Sequence, residues 1–468
     1  MTTSRRTQTW VLALAATASF MVVLDLLVVS TALSTIRHDL GASAEQLEWT
    51  VNAYTLSFAV LLMTASALGD RFGRRRVFAA GLALFALASA ACALSPNVGT
   101  LIAARAVQGA GAATILPLAL AALNTAFPPE RRGWAMGIYG AVTGLAALLG
   151  PVAGGAITQG ISWQWIFWLN VPIAVLAIPL VLARVPESFG PKAPLDLRGL
   201  ALAGLAAFGI VWGLVRGNPA GWGSAEVLGS LLGGLAVGAA FVLAELRARA
   251  PMLPMRLFRS RAFSAGNAAV FFWNASLTGA IYLMAQFLQV GLGHRPLAAG
   301  LGLLPWGIAP FLLAPRAGAL ADRVGGRPLI AGGLALQTAG LAWIALVAGA
   351  DMAYGELVAP MTIVGLGVTM ALPALTKTVV GGVAMADIGK ASGAFSTLRQ
   401  LGGAFGVAIV VAVFAGAGGY GSAQAFTDGF IPAIGVAAGL AFLAAVGGRL
   451  LPGHAPAGAP APAAASTT

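Results

Sequence analysis

Asp25 stands in the run Leu24-Asp25-Leu26-Leu27-Val28-Val29, deep inside an apolar stretch long enough to cross a bilayer. A carboxylate at that depth is costly unless it is protonated, paired or facing water. The chemistry open to it is therefore proton binding or charge pairing. A second charge lies in another apolar stretch, in Arg105-Ala106-Val107-Gln108-Gly109-Ala110-Gly111-Ala112-Ala113. A guanidinium stays ionised in any surroundings, so Arg105 requires an anionic or strongly polar partner. Gln108 lies one helical turn on, on the same face. Arg105 is about 9 Å from one end of its span and Asp25 about 22 Å from the other end of its own. In a hydrocarbon core about 30 Å thick these are similar depths, so the two groups can meet. An acid that is merely satisfied by neighbouring helices would look the same, and both readings stand at this point.

Little else in the chain offers chemistry. Cys92 is the one cysteine, and His38, His294 and His454 fall in loops or the tail without metal-ligand spacing, so no metal is expected. Gly389-Lys390-Ala391 lacks both the preceding glycine and the hydroxyl residue of a phosphate-binding loop. With no nucleophile set or carboxylate dyad either, an enzyme is not expected, nor is a cofactor. Hydrophobic residues make up 59% of the 468 and charged residues 9%; soluble domains carry about 25% charged residues, so this chain belongs in lipid. A net charge of +12 would suggest nucleic acid in a soluble protein. Here the charges lie in loops between apolar stretches, so they set orientation, and no nucleic-acid partner is expected.

The elements that position Asp25 and Arg105 are fourteen apolar stretches, read as transmembrane helices over 10–33, 47–68, 77–95, 98–123, 133–158, 163–183, 197–216, 224–246, 262–291, 297–320, 328–349, 355–377, 394–417 and 429–450. Most arginines and lysines fall at one side of this arrangement, which puts both termini in the cytoplasm. The organisation expected is a cytoplasmic N-terminus at 1–9 and a six-helix bundle at 10–184. A loop with two inserted helices follows at 185–246, then a loop and second six-helix bundle at 247–451, and a disordered cytoplasmic tail at 452–468. Helices 7 and 8 carry no mid-span charge and read as lipid-facing or scaffolding rather than as part of the substrate path.

Two short turns carry the argument for duplication. Ser66-Ala-Leu-Gly-Asp70-Arg71-Phe-Gly73-Arg74-Arg75-Arg76 returns 252 residues later as Gly318-Ala-Leu-Ala-Asp322-Arg323-Val-Gly325-Gly-Arg327. Both lie between apolar spans, as expected of an internally repeated membrane unit. One reading is a basic loop that only fixes topology. The other is a gate, with carboxylate–guanidinium contacts that break when the inner side opens. The candidate gate residues are Asp70, Arg71, Gly73, Arg75, Asp322, Arg323, Gly325 and Arg327. The turn resembles the cytoplasmic signature between the second and third helices of the major facilitator superfamily.

Further stretches carry the same resemblance. Helix 1, with its acid and Val-Val pair, and helix 4, with a basic residue before Gln-Gly-x-Gly, look like the signatures of the fourteen-span drug:proton antiporters of that superfamily, the QacA/EmrB type. Gly150-Pro151-Val-Ala-Gly154-Gly155 in helix 5 resembles the antiporter motif of its exporters; a packing groove is the plainer reading. Trp163-Gln164-Trp165-Ile-Phe167-Trp168-Leu-Asn170-Val-Pro172 is similar to a further family signature, though its aromatics are most simply an interfacial belt. Helix 13 opens with Ser396-Thr-Leu-Arg399-Gln400-Leu-Gly402-Gly403, again like the family, with Arg399 read as snorkelling near the inner boundary.

The resemblance implies an all-α polytopic membrane protein of the major facilitator fold, with two six-helix bundles plus two inserted helices. It implies a proton-coupled exporter of hydrophobic or amphiphilic small molecules, such as drugs or antibiotics. Such a protein sits in a bacterial cell membrane, works as a monomer among lipids, and has a small-molecule substrate and protons as partners. Asp25 would carry the proton and Arg105 modulate it. Asn52, Tyr54, Gln108, Asn274, Gln286 and Gln289 are the cavity candidates. Glu48, Glu226 and Glu356 fall at outer ends where water reaches them, and the second half has no mid-span carboxylate. Neutral or monocationic substrates are therefore expected. An importer or symporter on the same fold and a non-transporting membrane sensor remain the alternatives.

Overall fold

The computed structural model describes residues 4–190, 194–384 and 387–451, without the side chains of 129, 314–319 and 321–324. The proposed disordered tail at 452–468 lies outside the described residues. The chain forms α1 (Arg5–Leu40), α2 (Ala44–Phe72), α3 (Arg74–Ala93), α4 (Val98–Ala126), α5 (Pro129–Gly160), α6 (Trp165–Trp168), α7 (Asn170–Arg184), α8 (Leu197–Ala220), α9 (Ala225–Arg247), α10 (Arg261–Gln286), α11 (Pro296–Gly302), α12 (Leu304–Val324), α13 (Gly326–Val347), α14 (Gly355–Gly381), α15 (Ile388–Ala417) and α16 (Ala423–Arg449). Among the described residues thirteen spans are long and apolar enough to cross a membrane, or fourteen when the bent pair α11–α12 is one span.

The helix starts follow local chemistry. Ser43 accepts from the Gln46 N–H while Gln46 reaches back to the Ser43 N–H, a reciprocal cap on α2. Ser4, Asn97, Asp196, Ser224 and Ser422 cap α1, α4, α8, α9 and α16 in the simpler way. The 42° bend between α11 and α12 comes just before Pro305, which has no N–H to give the preceding turn. Pro151, by contrast, sits inside an uninterrupted α5.

The first seven helices pack among themselves, as do α10–α16, and α8 pairs with α9. The hydrophobic cores show how the two bundles meet. At the end opposite the N-terminus one continuous core joins them, from Val28, Leu33 and Phe167 on one side to Leu283, Trp306 and Phe430 on the other. At the basic, N-terminal end the core divides. One part (Val11, Phe58, Phe85, Leu118, Val181) belongs wholly to the first bundle, the other (Phe263, Trp273, Ile330, Leu375, Phe395) wholly to the second. The two bundles thus share one core at one end and keep separate cores at the other. The inserted α8 is buried along the seam between bundles, where Val211 and Val215 pack with Trp49 and Leu56 of α2 and Ala404 and Ala408 of α15. That is a scaffolding position.

Candidate functional site

Asp25 is fully buried and saturated with donors. Arg105 Nη1 donates to one carboxylate oxygen at 2.6 Å, while Gln108 Nε2 at 2.8 Å and Asn170 Nδ2 at 2.7 Å donate to the other. Arg105, 1% exposed, also donates from Nη1 to Gln108 Oε1 at 2.7 Å and from Nε to the Thr50 carbonyl at 3.1 Å. Its guanidinium lies 4.2 Å from the Tyr54 ring centroid and 5.7 Å from that of Phe167. Ser89 accepts from Gln108 at 2.7 Å and closes the network. Six helices supply these groups: α1, α2, α3, α4, α6 and α7. Arg105 Nη2 and the Tyr54 hydroxyl stay buried without a hydrogen-bond partner. A charge pair so enclosed is held by strong charge-assisted bonds, yet it has one donor to spare when the pair rearranges.

Two of these groups escape sequence reasoning as site residues. Asn170 follows the one-residue break between α6 and α7, and its place in a tryptophan-rich string hides its role. Ser89 lies in an alanine-rich stretch with no distinguishing pattern. Of the aromatic string, Trp165 is exposed as an interfacial residue should be. Trp163 and Phe167 are fully buried, Trp163 donating to Asp39 at 2.9 Å, so the belt reading fails for them.

The cavity candidates scatter. Tyr54 and Gln108 belong to the Asp25 network. Asn52 is buried and donates to Glu48 at 3.2 Å. Glu48 is itself only 2% exposed, which corrects the expectation that water reaches it: neighbouring helices cover that face of α2. Gln286 accepts from the Tyr420 hydroxyl at 2.6 Å, and Gln289 donates to the Thr31 carbonyl of α1 at 3.0 Å. Both lie at the shared-core end, Gln289 tying one bundle to the other. Asn274 donates to the Arg399 carbonyl at 2.7 Å.

The glycines around Pro151 are packing surfaces at the same shared-core end. A Cβ on Gly150 would come 2.9 Å from that of Leu27 on α1, and one on Gly154 would strike Thr31 and the Val28 carbonyl. On the other face, a Cβ on Gly155 would strike the Pro296 carbonyl of α11, and one on Gly300 of α11 would strike the Pro151 carbonyl. This motif lets α5 pack tightly on both bundles at once.

The first duplicated turn is held by acids from two places. Arg74 pairs with Asp70 at 2.7 Å, one turn away on the sequence. Glu187, after α7, accepts from the Arg75 N–H at 2.9 Å and lies 3.6 Å and 3.7 Å from the Arg75 and Arg76 side chains. Gly73 takes φ 105°, a left-handed value that suits glycine, and Gly325 repeats it at φ 87°. Arg71 and Arg327 are exposed. The side chains of Asp322 and Arg323 lie outside the described ones. Beyond the turn, Arg256 grips Asp387 with two bonds of 2.7 Å, which hold that carboxyl below the usual carboxylate range.

Comparison with known proteins adds the family. The model of the Major Facilitator Superfamily matches residues 15–407. The cephamycin export protein of Amycolatopsis lactamdurans is 38% identical over 441 residues, covering 92% of this chain and 90% of that protein. The tetracenomycin C resistance and export protein of Streptomyces glaucescens is 35% identical over 393 residues, covering 83% and 73%. A crystal structure of a peptide transporter, at 19% identity, superposes with a TM-score of 0.66 over 95% of both chains, a likeness of fold.

Proposed function

We propose that this chain, which belongs to the Major Facilitator Superfamily and is an efflux transporter rather than an enzyme, couples the export of amphiphilic small molecules to inward movement of protons. The basic end faces the cytoplasm, because arginine-rich loops stay on that side. The divided cores at that end are then read as an inward-open cleft, and the continuous core as the closed outer gate. The export and resistance names borne by the relatives support outward transport of natural-product antibiotics as the substrate class.

The observation that carries the coupling is the saturated Asp25. Its two oxygens accept three hydrogen bonds, one of them from the Arg105 guanidinium, with no solvent at either. A proton arriving there would turn one oxygen from acceptor into donor and release Arg105, whose idle Nη2 sits ready for new partners. Since Asp25 lies on α1 against α5, that local change would bias the packing on which the outer gate depends. Asp70 with Arg74, and Glu187 with Arg75 and Arg76, would serve as the cytoplasmic gate, paired within the first bundle here and exchanging partners across the bundles on closure. The test is energetic. Export should collapse when the proton gradient is discharged while ATP is maintained; efflux that persists then and stops on ATP depletion would overturn the coupling.

A further inference from the structure

Arg399 also lies at membrane depth, and unlike Arg105 it has no ion pair among the described residues. It lies about 16 Å along α15 from the basic end, and Tyr139 lies about 15 Å along α5 from the same end. The two side chains are within electrostatic range of each other across the two bundles, although α5 and α15 barely pack together. The Tyr139 hydroxyl accepts from Ser19 of α1 at 2.7 Å. The guanidinium is partly open, and its Nε is buried without a hydrogen-bond partner. Its depth lies between the second bundle's own core, which ends at Phe395, and the shared core, which begins on this helix at Val407. That is the apex of the cleft.

We propose that Arg399, at the level where the shared core gives way to the divided ones, recognises an anionic group on the substrate, a carboxylate above all. This rests on the transport reading given above and names the substrate class for it. The expectation of a monocation assumed an Asp25 free to face the cleft. With Asp25 sealed behind Arg105, Gln108 and Asn170, the cleft presents a cation and no available acid at that depth. A guanidinium without a carboxylate partner is the group a carboxylate ligand fits, by a bidentate pair in a low-dielectric site. A cationic ligand there would meet like-charge repulsion. Arg399 is thus a specificity residue, distinct from the Asp25 network.

The experiment compares 1-pyrenebutyrate with its uncharged methyl ester, using the full chain in lipid nanodiscs and equilibrium dialysis against empty nanodiscs. The wild type should bind the acid at least about tenfold more tightly than the ester. R399Q should lose that preference while still binding the ester, which also shows that it is folded; R399K should keep part of it. Equal binding of acid and ester by the wild type, or an equal fall for both in R399Q, would overturn the assignment. Proton-driven uptake into inverted vesicles separates the two readings. Acid preference in binding with no driven uptake of either probe would sink the coupling and leave Arg399 standing. Driven uptake of the ester but not the acid would do the reverse.

Discussion

Two arginines at membrane depth, Arg105 and Arg399, sit in opposite kinds of site. Arg105 has an acid at 2.6 Å, a backbone carbonyl, a glutamine and two aromatic faces around it, and is almost fully enclosed. Arg399 has none of these and opens to the cleft. The difference teaches what a charge in a membrane protein is for. A charge pair enclosed within one bundle, with a single idle donor at Arg105 Nη2, is shielded from any ligand. A charge left unmatched at the seam between bundles is available to a ligand.

The sharpest way to break this comparison is to remove the partner of each charge site in turn. Asp25→Asn leaves the Arg105 cation buried without its counter-charge, a loss of about 3–5 kcal/mol in a buried pair. Coupled export by Asp25→Asn should be abolished, and its thermal unfolding midpoint in detergent should fall well below that of the wild type. R399Q removes a charge that has no partner, so its midpoint should stay close to the wild-type value. Similar falls for the two variants would mean that Arg399 is as embedded as Arg105.

A second test concerns the seam. Gly155→Leu places a side chain against the Pro296 carbonyl where α5 meets α11. It should pry the shared core apart and shift cysteine-accessibility labelling toward opening at the end opposite the N-terminus, with transport strongly reduced. Unchanged labelling would show that this contact does not hold the outer gate. Gly140→Leu, on the same helix where a Cβ meets open space, is the control.

The smallest effect belongs to the clamp at the foot of α15. Asp387 is held below its ordinary carboxylate range, first by hydrogen bonds from Arg256 and then by its charge. A depressed acid contributes stability above its unfolded value, near 3.9, and loses it as pH falls through the folded value. The difference in melting midpoint between wild type and Arg256→Gln should therefore be present at pH 7 and shrink as pH falls below about 3.9 and through the folded value. The exposed arginine keeps that difference small. A gap that widens in acid would refute the clamp.

Much of this architecture is written along the chain. Apolar runs, arginine-rich loops and the repeated Asp-Arg turn are local, because a residue's preference for lipid or water is its own. Those features determined the number of spans, the basic end, and Asp25 and Arg105 as groups at one depth. Tertiary structure decided what each polar group meets. Glu48, at the end of its span by count, is covered by neighbouring helices. Asn170 and Ser89 become partners of Gln108 and Asp25 through helices distant in sequence. Arg399, in a helix start that reads like a snorkelling end, stands at the apex of a cleft that exists only because two cores separate there. Solvent access and hydrogen-bond partners depend on which helix faces are covered, and the covering residues lie tens to hundreds of positions away. For a buried charge that covering sets its free energy, so it fixes whether the charge holds a proton, a partner or a ligand.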